Sequence, residues 1–352
     1  ISTNDSVTLM TYNVKGNGVT DWSTNTAQAQ AIGREIMYLN PDVITFNEIP
    51  YTNTWQMANW VKAFMPGFNL ATNSGTDGFI RSVIASRFSI VRSQKWLDGA
   101  DLDPFGYTNA NFTRDLFEAE INVPNWPQHL HVFTTHLKSD SGGYADAVSK
   151  RAAEAAAITN FFATNFFALH PYCPFTLSGD MNESDTNATA IQELISAPAT
   201  LQLTGPKNPY TGSINSYSIQ ASVSERIDYI FPCPLLLSNV ISSQVFRTDK
   251  LPVPLPLNLS SNDDKVASDH LPVLMTFANP FAQPFSVTAF SRSNQAVNLQ
   301  WQSVPGGIYR VENSANLTDW TVLATNVMAT NYSCALNTNV GETVKFFRVR
   351  TK

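Results

Sequence analysis

Seven residues near the middle of the chain, Leu177-Ser178-Gly179-Asp180-Met181-Asn182-Glu183, decide how the rest of the sequence is interpreted. The apolar lead-in Phe175-Thr176-Leu177 predicts a buried strand, and Gly179 lets the backbone turn tightly or approach a ligand. Asp180 and Asn182 are two apart and therefore face the same side of an extended backbone. A carboxylate there can bind a metal or activate a water, which an amide can orient. Taken alone, the stretch equally fits a strand end with turn-forming residues.

The composition indicates a folded protein with a neutral, polar surface. The chain has 352 residues, of which 43% are hydrophobic, enough for one large domain and a small one. No apolar run approaches the roughly 18 residues of a membrane span. Charged residues make up 14% of the chain and the net charge is −6, so we expect no stable complex with nucleic acid. An enzyme that binds nucleic acid only transiently is compatible with this charge.

The first three quarters of the sequence interleave strand and helix patterns. Strands are predicted at Ser6–Asn13, Asp42–Phe46, Phe79–Ser86, Phe88–Gln94, Leu116–Val123, Leu130–Thr135, Ser224–Phe231 and Leu271–Phe277. Helices are predicted at Ala27–Leu39, Thr54–Met65, Ala145–Leu169 and Thr186–Ala197. The periodicity does not favour strict βαβ repetition, so we expect two sheets packed face to face and flanked by helices.

The last part of the chain has a different character. Residues 279–284, Asn-Pro-Phe-Ala-Gln-Pro, are typical of a linker between a domain at 1–278 and a smaller one at 285–352. Beyond it, short strand patterns separated by Gly, Asn and Pro predict a small all-β sandwich. This module loosely resembles fibronectin-like modules appended to secreted bacterial enzymes. Its function is either to bind a surface or glycan, or to act as a passive spacer or secretion-associated domain, and we favour the second interpretation.

Five predicted strand ends carry polar side chains of complementary types. They are Asn13, Glu48, His136, Asp180 with Asn182, and Asp269 with His270. Each alone fits a cap, a turn or a hydrogen-bonded histidine, but together they predict one functional site. Carboxylate and amide oxygens suit a hard divalent cation, Mg²⁺ first, with Mn²⁺ or Ca²⁺ as alternatives. The sequence shows no cysteine cluster or paired-histidine helix that indicates zinc.

Six motifs, taken in order, make the chain resemble the endonuclease/exonuclease/phosphatase superfamily, in particular its pancreatic deoxyribonuclease and bacterial sphingomyelinase group. They are Thr11-Tyr12-Asn13, Phe46-Asn47-Glu48, Thr135-His136-Leu137-Lys138-Ser139, Ser178-Gly179-Asp180-Met181-Asn182, Arg226-Ile227-Asp228-Tyr229 and Ser268-Asp269-His270. The resemblance covers about residues 5 to 278. It implies a four-layered α/β sandwich, with two packed mixed sheets flanked by helices and every motif at one mouth.

The resemblance also implies roles for the residues that would handle the metal and the water. By motif position, Glu48 looks like the principal Mg²⁺ ligand, with Asn13 and Asp269 near the metal or the phosphate. Asp180 would orient or deprotonate the attacking water. Asn182 would bind the phosphate or hold Asp180.

Three further residues have implied catalytic roles. His136 and His270 would contact the phosphoryl oxygens, and one of them would transfer a proton. Asp228 would accept a hydrogen bond from the His270 ring, which fixes the tautomer and raises the basicity of that imidazole.

Three weaker candidates would bind substrate. Arg114 can clamp a phosphate through two parallel hydrogen bonds, although an ordinary surface arginine fits as well. Lys138 follows His136 by two residues and can point the same way, or it is simply solvated. Tyr107, in the long polar-aromatic loop Trp96–Phe112, can stack on a base or anchor the loop.

The cysteines and the start of the chain favour an extracytoplasmic protein. The chain begins with isoleucine, as a processed secretory protein does, with trimming of a longer chain as the alternative. Cys173 precedes Asp180 by seven residues, and Cys233 follows Asp228 by five. If both acids lie at the mouth, antiparallel strands bring the two cysteines to a similar depth. We expect them to form a disulfide, leaving Cys334 free; two buried thiols are the alternative.

The function predicted from the sequence is a secreted, monomeric, Mg²⁺-dependent phosphodiesterase that acts on nucleic acid. The alternative within the superfamily is a phospholipid or small phosphoester hydrolase. The apolar stretch Leu251–Leu257 keeps open a membrane-contacting hairpin of the sphingomyelinase kind, although its prolines make a poor hairpin. A catalytically silent adhesin is the alternative from another class, and the intact acids and histidines argue against it.

Overall fold

The larger part of the protein is built around two parallel strand pairs, one in each of two sheets. The computed structural model describes residues 6–341 and 343–352. Its strands up to residue 278 are β1 (Ser6–Asn13), β2 (Val43–Pro50), β3 (Asn69–Thr72), β4 (Ile80–Ser86), β5 (Ser89–Trp96), β6 (Leu116–Asn122), β7 (Leu130–His136), β8 (Phe175–Asp180), β9 (Asp228–Pro232), β10 (Val240–Val245) and β11 (Val273–Ala278). Strands β1 and β2 pair in parallel, as do β7 and β8, and their other sheet neighbours run antiparallel.

The two sheets face each other across a buried polar seam. One sheet has six strands in the order β10-β11-β1-β2-β4-β3, and the other has five in the order β5-β6-β7-β8-β9. Between them, Thr45 Oγ1 lies 2.8 Å from Ser178 Oγ, and Asn47 Nδ2 donates to Thr134 Oγ1 at 3.2 Å. These hydrogen bonds between buried polar groups of opposite sheets help to fix the register between the sheets.

Helices cover the outer faces of both sheets. They are α1 (Ala27–Leu39), α2 (Met57–Phe64), α3 (Tyr144–Phe161), α4 (Phe167–Leu169), α5 (Thr189–Ile195), α6 (Pro234–Leu237) and α7 (Asp263–Ala267). Helix α1 begins where the Thr26 side chain accepts the Ala29 amide hydrogen, and it ends at Asn40 in a left-handed conformation. Among the described residues, no helix combines the length and the apolar character needed to cross a membrane.

The helix layers are held to the sheets by large apolar side chains. Ile32 of α1 and Trp60 of α2 pack with Phe46 of the six-stranded sheet in one buried cluster. On the other side, Phe133 of β7 meets Phe162, just after α3, with ring centroids 5.1 Å apart. The order helix, sheet, sheet, helix confirms the predicted four-layered α/β sandwich.

The C-terminal part forms a separate compact unit, which we call the β unit. It takes in residues 279–352 together with the short segment 125–129, whereas residues 6–124 and 130–278 form the α/β unit. Its strands are β12 (Val287–Ser293), β13 (Ala296–Gln302), β14 (Ile308–Ser314), β15 (Thr321–Met328), β16 (Ser333–Asn339) and β17 (Phe346–Thr351). They make two three-stranded antiparallel sheets, β12-β13-β16 and β15-β14-β17, around the buried rings of Trp301 and Tyr309. The predicted all-β character is confirmed, while the fibronectin likeness stays a prediction.

The cysteines do not form the predicted disulfide. Neither Cys173, Cys233 nor Cys334 is in a disulfide. The Cys233 sulfur accepts the Phe175 amide hydrogen at 3.5 Å inside the fold, whereas the Cys173 sulfur lies beside two histidine rings. The two sulfur atoms therefore contact different neighbours. Burial first, then the nearby Glu120 and Cys233, raise the pKa of Cys173 to about 11.

The apolar stretch Leu251–Leu257 is an irregular loop and not the hairpin kept open by the sequence. Leu251 and Leu259 pack against the buried cluster under the six-stranded sheet, while Val253 and Leu257 are exposed. The prolines at every second position remove backbone donors, which prevents a strand ladder here.

Candidate active site

Strand pairing alone brings most of the predicted site residues to one end of the α/β unit. In β1 and β2, Asn13 lies beside Asn47. In the facing sheet, His136 pairs with Asp180, and Asp228 pairs with Asp180 from the other side. Because parallel strands end at the same edge, the polar residues that terminate them converge.

Asn47 ties the two sheets together directly under this site, and sequence reasoning gave it no role. Its Oδ1 accepts the Asp180 amide hydrogen at 2.9 Å. Gly179 allows this approach: a Cβ there would lie 2.0 Å from Thr135 O and 2.7 Å from Asn47 Oδ1, and its φ is +131°. Glycine at this position is therefore a steric requirement of the site.

Glu48 reaches the site through a distortion of β2. The pairing of β2 with β4 shifts register between Phe46 and Ile49, and Glu48 has a left-handed φ of 60°. The strand continues to Pro50, so Glu48 lies within it and not just past its end as predicted. The bulge turns the carboxylate toward Asn13, whose Nδ2 donates to Glu48 Oε1 at 3.2 Å.

Asp180 is the central carboxylate of the site and is almost fully buried. Its Oδ2 accepts from Asn13 Nδ2 at 2.9 Å, and its Oδ1 accepts the Asn182 amide hydrogen at 2.8 Å. Burial raises the pKa of Asp180 to about 7, against the opposing effect of the nearby His270 charge. Asn13 thus bridges two carboxylates through its amide nitrogen, and Asn182 positions Asp180 through its backbone.

His270 forms a buried pair with Asp228. The His270 Nδ1 lies 2.9 Å from Asp228 Oδ2, and Ser216 Oγ donates to the same oxygen at 2.6 Å. Burial works against a charge on His270, but Asp228, Asp180 and Asp269 outweigh it and raise its pKa to about 10. The imidazole is therefore protonated at neutral pH, and its Nε2 lies 3.8 Å from Asp180 Oδ2.

His136, in contrast to His270, is a neutral imidazole. Its Nε2 lies 3.4 Å from Asp180 Oδ2, and its Nδ1 is buried with no hydrogen-bond partner among the described residues. Burial first, then the charges of Arg114 and His270, hold the pKa of His136 well below its usual range. A neutral and a charged imidazole thus flank one carboxylate.

The donor set fits a divalent cation beside Glu48. One ligand atom each from Glu48, His136 and Asp180 lies within 4.8 Å of the others. Asp269, expected near the metal, instead has its Oδ2 3.0 Å from Lys15 Nζ and its Oδ1 3.9 Å from His270 Nε2. The structure therefore groups Asp269 with His270 and not with Glu48.

A cleft of about 570 Å³ opens above these groups. Arg114 and Lys138, the candidate substrate-binding residues, both line it. Arg114 Nη1 donates to the His136 and Leu137 carbonyl oxygens at 3.0 and 3.1 Å, and its Nε lies 3.0 Å from Asp77 Oδ2. Lys138 Nζ donates to Ser139 O at 3.0 Å.

Tyr107 lies outside the set of residues that line the cleft. Its hydroxyl donates to Asp146 Oδ1 at 2.7 Å, and Lys150 Nζ, from the cleft wall, lies 5.9 Å from the ring centroid. Tyr107 thus anchors its loop to α3, the alternative left open by the sequence.

Tyr217 is a residue of the cleft that the sequence analysis did not identify. Its ring lies 4.8 Å from the His270 ring, centroid to centroid, and it lines the cleft. The segment around it folds back as a bridge to Glu225 and His270, and Ser216 comes with it. No local motif surrounds these residues in the sequence, so only the folded chain reveals them.

Solved structures share this fold. The endonuclease/exonuclease/phosphatase from Bacteroides vulgatus has a TM-score of 0.54 and 16% identity, and the match covers 78% of this chain and 99% of that chain. The protein of the same description from Beutenbergia cavernae has a TM-score of 0.51 and 17% identity, over 99% and 100% of the two chains. D. rerio TDP2 complexed with single strand DNA product has a TM-score of 0.51 and 17% identity, over 77% and 98%.

These likenesses establish the fold and place the protein's structural neighbours in the endonuclease/exonuclease/phosphatase superfamily, as the sequence motifs implied. No protein-family model matches the sequence, and no curated protein sequence matches it.

Proposed function

We propose that the protein is a Mg²⁺-dependent phosphodiesterase that hydrolyses nucleic acid. The observation that carries this proposal is the convergence of Glu48, Asp180 and the His270–Asp228 pair in one cleft. A metal-binding carboxylate, a second carboxylate with a pKa near 7 and a charged imidazole are the groups that an in-line displacement at phosphorus needs.

Glu48 would hold the cation, with Asn13 fixing the spacing between its carboxylate and that of Asp180. Carboxylate oxygens are the ligands that Mg²⁺ prefers, and neutral His136 completes the group of donors. When bound, the ion would neutralise charge that develops on the phosphoryl and leaving oxygens. Asp269 is assigned to the rim of the site, where it neutralises Lys15.

Asp180 is the proposed general base. With a pKa of about 7 it is available as a carboxylate near neutral pH and can still take the proton of an attacking water. His270 is the proposed electrophile: its charged ring donates from Nε2 to a phosphoryl oxygen. Asp228 and Ser216 are positioning residues that fix the His270 ring through Nδ1.

Several features of the cleft support a nucleic-acid substrate. Arg114, Lys138 and Lys150 line it beside its acidic groups and can contact phosphate oxygens. Phe79 and Tyr217 supply aromatic faces on the same walls, and bases stack on such rings. Among the structural neighbours, D. rerio TDP2 holds a single-stranded DNA product.

The test compares substrates under one set of conditions. Single-stranded DNA, plasmid DNA, sphingomyelin vesicles and a phosphomonoester are each incubated with the protein and Mg²⁺, with EDTA and with Glu48→Gln as controls. We expect DNA cleavage that EDTA and Glu48→Gln both abolish. No hydrolysis of any of the four with Mg²⁺, Mn²⁺ or Ca²⁺ would refute the enzyme proposal and favour a binding role.

A phospholipid substrate is the second candidate, and one observation favours it. Val253 is 86% and Leu257 is 90% exposed on the Leu251–Leu257 loop, more than is usual for apolar side chains. Neither residue lines the cleft. Sphingomyelin hydrolysis that Val253→Ser with Leu257→Ser reduces, while a soluble diester is cleaved as before, would select this candidate.

A further inference from the structure

We propose that His131, His170 and Cys173 form a second metal site, for a borderline-soft transition-metal ion of the zinc class. The site lies at the start of β7, whereas the active-site cleft receives His136 from the end of the same strand. None of the three residues lines that cleft. This inference is independent of the phosphodiesterase proposal.

His131 presents a buried nitrogen prepared for a ligand. Its side chain has no exposed surface, and its Nδ1 lies 2.7 Å from Glu118 Oε1. Its Nε2 is buried and has no hydrogen-bond partner among the described residues. Buried polar atoms are nearly always paired, so an orphaned imidazole nitrogen beside other metal-binding groups indicates a missing partner.

Glu118 fixes the tautomer that this role requires. Arg92 donates to both Glu118 oxygens at 3.0 Å, and Trp96 Nε1 donates to Oε2 at 2.7 Å. Burial opposes ionisation, but His131, Trp96 and Arg92 outweigh it and hold the pKa of Glu118 below its usual value. The carboxylate therefore keeps a proton on Nδ1 and leaves the Nε2 lone pair for an ion, an arrangement typical of metal-ligating histidines.

His170 and Cys173 supply the other two donors. The His170 ring centroid lies 4.3 Å from that of His131, and one ligand atom of each of the three residues lies within 4.8 Å of the others. A neutral imidazole ring is the form of His170 that binds a cation. Burial raises the pKa of Cys173 to about 11, so metal binding breaks the S–H bond and releases that proton to solvent.

The donor set selects the kind of ion. Two imidazoles and a thiolate suit zinc and its neighbours, whereas Mg²⁺ and Ca²⁺ require oxygen. Tetrahedral zinc, with bonds of about 2.0 Å to nitrogen and 2.3 Å to sulfur, spaces its ligands roughly 3.3–3.6 Å apart. The three side chains thus need to close by at most about 1.5 Å, which the half-exposed His170 and Cys173 can do around a fixed His131.

The local structure gives an ion access to the site. A groove of about 240 Å³, lined by Arg92, Trp96, Glu118 and His170, opens beside the cluster. A π-helical turn at Phe162–Phe166 precedes His170 and Cys173 in the chain, and such turns often accompany functional sites. Three protein ligands leave a fourth position for water or a small anion. Sequence patterns do not reveal this site, because His131 lies 39 residues before His170.

Titration of the whole, reduced chain with Co²⁺ tests the site, because a thiolate ligand gives cobalt a charge-transfer band in the near ultraviolet. We expect one such band per chain in the wild type, displaced by Zn²⁺ and unaffected by excess Mg²⁺. Cys173→Ser should abolish the band, and His170→Ala should weaken Co²⁺ binding at least tenfold. The matched controls Cys233→Ser and Cys334→Ser, with Glu48→Gln for the active site, should keep it.

Two outcomes would overturn the proposal. One is the absence of any thiolate band in wild-type protein whose circular dichroism shows it to be folded. The other is a band that survives in folded Cys173→Ser. Glu48→Gln removes the proposed active-site ligand and leaves His131, His170 and Cys173 unchanged. Failure of the second-site proposal is therefore distinguishable from failure of the phosphodiesterase proposal.

Discussion

His270 and Asp228 form a buried ion pair, with Nδ1 2.9 Å from Oδ2 and Ser216 Oγ on the same carboxylate oxygen at 2.6 Å. The pair comes from strand β9 and from the segment just before β11, so folding and not local sequence creates it. Its consequence is a charged imidazole whose Nε2 faces Asp180 across 3.8 Å. We assign His270 as the electrophile and Asp180 as the base, so the two reacting groups face each other across this contact.

The first prediction is that His270 and Asp228 act as a unit. His270→Ala should lower kcat/KM by about 10²–10⁴-fold, the usual cost of losing such a group. Asp228→Asn should cost somewhat less, and the double variant should be no slower than His270→Ala. Steady-state kinetics of the four proteins measures this, with Ser216→Ala as the milder control. Multiplicative losses in the double variant would show that the two side chains act independently.

The second prediction concerns pH. Activity should rise as Asp180 loses its proton, with a midpoint at or below about pH 7 because a bound cation lowers that pKa further. Activity should fall again near pH 10 as His270 loses its charge. In Asp228→Asn the largest cause of the raised His270 pKa is gone, so the alkaline limb should move toward neutral pH. An alkaline limb at the same pH in wild type and variant would contradict the assignment.

The third prediction tests the steric argument at Gly179. Gly179→Ala places a Cβ 2.0 Å from Thr135 O in a backbone with φ of +131°. We expect a loss of about 2–6 kcal/mol in the free energy of unfolding, because strain and overpacking add. Gly67→Ala is the matched control: φ is +88° and nothing lies within 4 Å, so only about 1–2 kcal/mol is lost. Equal denaturant midpoints for the two variants would show that glycine is required at position 179 only for its backbone angle, and not for the close approach of Thr135.

The site residues were easier to predict from the sequence than the residues that hold them in place. Glu48, Asp180, Asp228 and His270 each belong to a short motif at a strand end, and the structure brings all four to one cleft region. Asn47 and Tyr217 escaped assignment because their roles depend on partners far along the chain. Those partners are visible only once the sheets face each other.

The fold shows the same division between local and non-local signals. Helix α1 was predicted at Ala27–Leu39, the bounds found in the structure, because its apolar spacing and the stop at Pro41 are local signals. The edge strands β3 and β10 were missed, although the edge strands β5 and β9 were predicted. Strand β3 has only four residues and β10 is interrupted by serines and a glutamine, so neither carries a continuous apolar run. The long helix predicted to Leu169 is interrupted by a π-helical turn that begins at Phe162. The spacing of the phenylalanines does not predict such a turn.

The most direct test of the account is the Mg²⁺ dependence of DNA hydrolysis by the wild type and by Glu48→Gln, with melting temperatures measured in EDTA. Removing one carboxylate charge should lower turnover by at least about 10²-fold, because the proposed metal ligand is lost. The melting temperature should change little or rise, because a partly buried negative charge disappears. Near-normal, Mg²⁺-dependent cleavage of DNA by Glu48→Gln would contradict the account.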